Sequence, residues 1–89
     1  MSLAATRHDE DLALLQLIME GDENALAGLY DRYGEMLHSF AVKMLRSVEE
    51  AEQIVEEVFL QAWNKASTYE NARSTVYTWL ITMTRNRAI

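Results

Sequence analysis

The sequence predicts an all-α fold, a compact bundle of about four helices, and three observations predict it. Proline is absent and only Gly21, Gly28 and Gly34 are glycines. Strands joined by tight turns usually need more of both. Apolar residues recur at three- and four-residue spacing through most of the chain, the period of a helix with one buried face. Helix-start residues stand ahead of each periodic stretch.

The first helix is expected from about Asp9 to Glu20. Asp9 and Asp11 suit its start, Leu12, Leu15 and Ile18–Met19 form its apolar stripe, and Gly21 is its stop. Residues 1–8 are expected to be a flexible segment ahead of a domain spanning 9–89. A second helix opens near Asp22 or Asn24 and carries Leu26, Leu29–Tyr30, Tyr33, Leu37, Phe40–Ala41 and Met44–Leu45 on one face. Ser47-Val48-Glu49-Glu50 reads as a capping box for a third helix. That helix buries Ala51, Ile54–Val55, Val58–Phe59 and Ala62–Trp63, and turns Glu49, Glu52, Gln53 and Glu56 outward, with Glu57 near the boundary. Residues 66–74 lack periodicity and read as a loop. Ser74 or Thr75 can cap a last helix bearing Val76, Trp79–Leu80, Met83 and Arg87. No stop signal precedes Ile89, so the last helix is expected to be truncated and the chain to be one domain of a longer protein. The predicted core comprises Leu29, Tyr33, Leu37, Phe40, Val55, Val58, Phe59 and Trp63.

Composition excludes several functions. With no cysteine there is neither a disulfide framework nor a thiolate metal site, which fits a reducing cytoplasm. No apolar run approaches the ~20 residues of a membrane span. His8 and His38 stand thirty residues apart with no third ligand at metal spacing. No nucleophile motif or glycine-rich phosphate loop is present, so no enzyme, metal or cofactor is expected. The net charge of −6 is unevenly spread. Residues 1–59 hold four basic groups against 13 acids, whereas residues 60–89 hold Lys65, Arg73, Arg85 and Arg87 against Glu70 alone. An acidic front and a basic tail suggest two different partners.

Tyr69, Tyr77 and Trp79 lie among those tail cations. Rings that stack on bases and cations that meet phosphates are what single-stranded DNA needs. Trp79, beside Leu80 on the apolar stripe, reads as core, which leaves Tyr69 and Tyr77 as the better candidates. Thr68, Glu70, Asn71 and Ser74 could line a pocket for an extruded base, since amides and hydroxyls can read an edge that a duplex hides. Asn71 and Ser74 also read simply as helix caps.

Three stretches together resemble the second conserved region of the sigma-70 family, in its extracytoplasmic-function group. They are Ala25-Leu26-Ala27-Gly28-Leu29-Tyr30-Asp31-Arg32-Tyr33, the run from Ala51 to Trp63, and Tyr77-Thr78-Trp79-Leu80 followed by Thr84-Arg85-Asn86-Arg87-Ala88-Ile89. The resemblance covers about residues 10–89. It implies a promoter-specificity subunit of bacterial RNA polymerase that works by binding in the cytoplasm. The helix holding Glu49, Glu52, Gln53, Glu56, Glu57 and Phe59 would meet the clamp helices of the polymerase β′ subunit. Lys65, Thr68, Tyr69, Asn71, Arg73, Ser74, Tyr77, Thr78 and Arg85 would open and read the non-template strand of the minus-ten element. The resemblance also implies an anti-sigma factor that masks these surfaces, and no membrane partner. Gln53 stands where the family usually has an aspartate, and Ser74 where it has a glycine. An acidic helical adaptor that touches no DNA is the alternative.

Overall fold

The computed structural model describes residues 3–89, and side-chain environments from Arg7 onward. Four helices follow in order: α1 (Leu3–Met19), α2 (Glu23–Leu45), α3 (Val48–Lys65) and α4 (Val76–Ala88), with a single 3-10 turn at Ala66–Thr68. No strand occurs among the described residues. α1 starts well before the expected Asp9 and carries Leu3 to His8 in its first turns; Met1 and Ser2 lie outside the described residues.

The punctuation is local chemistry. Gly21 ends α1 at φ +88°, a conformation that only glycine adopts without cost. Asp22 then caps α2, its carboxylate accepting from the amides of Asn24 and Ala25 at 2.9 and 3.3 Å. α2 stops at Arg46, which takes the left-handed conformation (φ 55°) and returns its amide to the Val42 carbonyl. The Ser47 hydroxyl accepts from the Glu50 amide at 3.2 Å, the serine half of the expected box. Of the two candidates for capping α4, Thr75 does so, accepting from the Thr78 amide at 3.1 Å.

α2 and α3 pack most closely, and α1 and α4 close over them. Leu29, Leu37, Val58, Val76 and Leu80 are fully buried where the four meet. Six of the eight expected core residues are buried. Phe40 is not one of them. The buried stripe of α2 runs through Ala25, Leu29, Tyr33, Leu37 and Ala41 at a spacing of four. Phe40 stands about 100° around the helix from Ala41 and lines a shallow outer cleft with Met36, Lys43 and Tyr77. Trp63 packs against the core with one side exposed, beside Ile18, Met19 and Ala66.

Candidate functional site

An open groove of about 650 Å³ runs between α2 and α3. Tyr30, Asp31, Gly34, Glu35 and His38 line it from α2, and Val48 and Glu52 from α3. Two of these are apolar yet exposed: Tyr30 at 48% and Val48 at 56%. Acids ring them, and no ion pair to Asp31, Glu35 or Glu52 occurs among the described residues. An apolar centre with a charged rim is the anatomy of a docking surface. Glu49, Gln53 and Glu56 extend the exposed polar face of α3. Two other expected docking residues are placed differently. Phe59 is only 5% exposed and lies beneath Tyr30, ring centroids 5.0 Å apart, so Tyr30 presents the aromatic surface. Glu57 is engaged by Arg87 of α4 at 3.3 Å, and Gln61 accepts from the same guanidinium at 2.9 Å.

Gly34 sets how closely the Tyr30 ring lies along α2 at the groove. A Cβ there would come within 3.1–3.3 Å of three atoms of the Tyr30 ring. Without it, the ring lies close along α2.

The loop ahead of α4 has the opposite character: most of its polar groups are already paired. The Tyr69 hydroxyl donates to the Ser74 carbonyl at 2.6 Å, and its ring meets Trp79 edge-on at 5.3 Å. Burial, with a smaller contribution from the charge of Asp11, pushes the Tyr69 phenol up from its ordinary value. The Thr68 hydroxyl donates to the Lys65 carbonyl at 2.6 Å. Arg73 pairs with Glu70 at 3.0 Å, both well exposed, a contact worth at most ~1 kcal/mol. Tyr77 is 39% exposed, one side of its ring resting near Tyr33 with centroids 5.7 Å apart. Thr78 and Arg85 are exposed, and seven residues of spacing put them on one side of α4. Of the four tail cations, Lys65 and Arg85 have no carboxylate within 4 Å among the described residues. Tyr69 and Ser74 therefore frame the loop, whereas Lys65, Asn71, Arg73, Tyr77, Thr78 and Arg85 are exposed.

A partly buried network ties α1 to α2. Asp11, 3% exposed, accepts from the Tyr33 hydroxyl and from Arg32 Nε at 2.7 Å. Arg32 also pairs with Glu10 at 2.8 Å. Burial, then the hydrogen bond to Asp11 and its charge, pushes the Tyr33 phenol up to about 12. His8, one helical turn before Asp11, reaches the loop at Asn71. From the sequence, Asp11 is expected at a helix start and His8 in a flexible segment. The available signal was that Asp11 falls four residues before Leu15 and seven before Ile18, on the apolar stripe itself. An acid there needs partners.

The family model of sigma-70 region 2 matches residues 29–89 of this four-helix module. The chain belongs to this family. It is 31% identical over 83 residues to the ECF RNA polymerase sigma factor SigK of Mycobacterium ulcerans, covering 93% of this chain and 44% of that protein. The SigK of Mycobacterium bovis is 30% identical over 77 residues, covering 86% and 41%. The chain thus spans less than half the length of these relatives. Among solved structures, Rhodobacter sphaeroides SigE, crystallised in complex with the anti-sigma ChrR, superposes with a TM-score of 0.84 at 30% identity, covering 93% of this chain and 54% of that one. Family and fold therefore agree with the extracytoplasmic-function group named by the sequence.

Proposed function

We propose that this domain acts in transcription initiation as the core-docking and minus-ten-reading module of an extracytoplasmic-function sigma factor. It works by binding and catalyses no reaction. The supporting observation is that one rigid bundle carries two chemically different faces: an acidic, apolar-centred groove between α2 and α3, and a polar loop with cations around α4. The groove suits the clamp helices of the polymerase β′ subunit, with opposed charge steering association and Tyr30 and Val48 supplying contact area. The loop suits an unpaired base of the non-template strand, since its groups can read an edge only after the strand opens. Arg85 meets phosphates without regard to sequence. An anti-sigma factor is the expected regulator, since the similar SigE is held by one in its crystal structure. The proposal carries a cytoplasmic location with it, since core polymerase and promoter DNA are found there. Among the described residues no helix is long and apolar enough to cross a membrane.

Open-complex formation by the protein with core polymerase, across promoters varied through the minus-ten element, tests this reading. Asn71→Ala should change the preference at one position. Arg85→Ala should weaken all promoters alike and lower the salt dependence by about one phosphate contact. Unchanged behaviour in both variants would leave an acidic adaptor without DNA contact.

A further inference from the structure

Nε2 of His8, on α1, lies 2.6 Å from Oδ1 of Asn71, in the loop ahead of α4. The two residues are 63 positions apart, and no local turn brings them together. The other ring nitrogen of His8, Nδ1, is buried and has no hydrogen-bond partner among the described residues. The ring also borders a cavity lined by Asp11, Tyr33, Thr75 and Tyr77, so it stands between the buried network and the loop.

A neutral imidazole carries one proton for two nitrogens. On Nδ1 that proton would be a buried donor with nothing to receive it, a rare and costly arrangement. On Nε2 it meets Oδ1 of Asn71. The contact therefore runs from His8 to Asn71, and the Asn71 carbonyl is the accepting side. This fixes the amide. With Oδ1 held inward, the NH2 group and its two protons face away from α1, on an exposed residue. The loop's other anchor, Tyr69 on the Ser74 carbonyl, sets the backbone but not this amide.

We infer that His8 is a positioning residue for base recognition: it orients Asn71 so that the loop offers N–H donors to an unpaired base. The inference rests on the reading of the loop as the base contact, and it adds the chemistry of that contact. The base is recognised through acceptor atoms, a carbonyl oxygen or a bare ring nitrogen, at the position Asn71 faces. A base that offers only a donor there is discriminated against. The carbonyl of Asn71 already accepts from His8, so the two N–H donors are the groups left wholly to the base.

The test uses the protein assembled with core polymerase and promoters changed one base at a time through the minus-ten element. Asn71→Ala should lower discrimination at one position by about tenfold, the usual scale for a base-edge contact. His8→Ala should lower it at that same position by a similar factor. His8→Gln, whose side-chain amide can also donate to Oδ1, should restore it. The double variant should discriminate no worse than Asn71→Ala alone, since the two residues act as one unit. If His8→Ala keeps the parent's preferences while Asn71→Ala loses them, the inference fails and the base contact stands. A uniform loss over all promoters in His8→Ala, with a lowered melting temperature, would make His8 a packing residue only and overturn the inference too. Should Asn71→Ala itself leave the pattern unchanged, the reading and the inference fall together. Nitrogen-15 shifts of the His8 ring give an independent readout. A proton on Nε2 is the expected result; a proton on Nδ1 would turn the Asn71 carbonyl outward and contradict the assignment.

Discussion

In the groove between α2 and α3, Asp31, Glu35 and Glu52 stand without ion pairs among the described residues, around the exposed Tyr30 and Val48. In the loop ahead of α4, Tyr69, Thr68, Arg73 and Asn71 each already hold a partner within the fold. Under the proposed function, the difference follows from what each face would recognise. Long-range steering and register need only the sign of the charge, and a solvated carboxylate supplies that without being fixed. Reading one atom of one base needs a donor held in place before the base arrives, or the ordering cost is subtracted from the contact. The charge asymmetry of the chain thus marks the groove well and the loop poorly. Arg87 belongs to the basic tail in sequence, but in space it turns back onto Glu57 and Gln61.

Both faces depend on the shared core, and breaking it should have the largest effect. Leu37 is fully buried where the helices meet. Leu37→Ala should cost about 2–5 kcal/mol in chemical denaturation and abolish both faces together.

The buried network comes next. Asp11→Ala leaves the Tyr33 hydroxyl without its acceptor and Arg32 with Glu10 and the Arg7 carbonyl only, and should cost about 1–3 kcal/mol. It should also disturb the loop more than the groove, because His8 lies on the same helix as Asp11. Tyr33 makes this visible in pH. Its folded value of about 12 lies above the ordinary 10.0, so folding favours the protonated phenol. The stability this gives is complete below pH 10 and is lost as pH rises toward 12. Tyr33→Phe should flatten that alkaline limb in urea denaturation series.

The groove can be altered alone. Glu52 and Glu56 are exposed, so reversing both to lysine should leave the melting temperature nearly unchanged. Core binding should fall by about tenfold at low salt and by less at high salt, as screening shortens the reach of the charges. Gly34→Ala is the finest probe. The added Cβ pushes the Tyr30 ring by a few tenths of an ångström, while alanine favours the helix by up to ~1 kcal/mol. Stability should change little, and core affinity should drop a few-fold.

Helix periodicity made α2, α3 and α4 legible, and the caps at Asp22, Ser47 and Thr75 were readable from residue type. The start of α1 was not, because Thr6-Arg7-His8-Asp9-Glu10 has no apolar stripe and its acids imitate a first turn. Phe40 shows the limit of the stripe argument: about one hundred degrees of rotation separates a core position from a flank, and Phe40 falls outside. Phe59 is buried, as its place on the stripe predicts. The contact between His8 and Asn71 had no local signature, since it exists only once α1 and the loop pack together.

The proposed function makes the groove and the loop separate working faces on one scaffold. It is tested most directly by measuring each of two variants in both of two assays: affinity for core polymerase without DNA, and affinity of the assembled enzyme for a promoter with a pre-opened minus-ten element. The Glu52→Lys and Glu56→Lys double variant should lose core affinity yet, once saturated with core, bind the opened promoter as the parent does. The Asn71→Ala and Arg85→Ala double variant should bind core normally and lose affinity for the opened promoter. If either variant fails in both assays while its melting temperature stays at the parent's, the two faces are one, and the account is wrong.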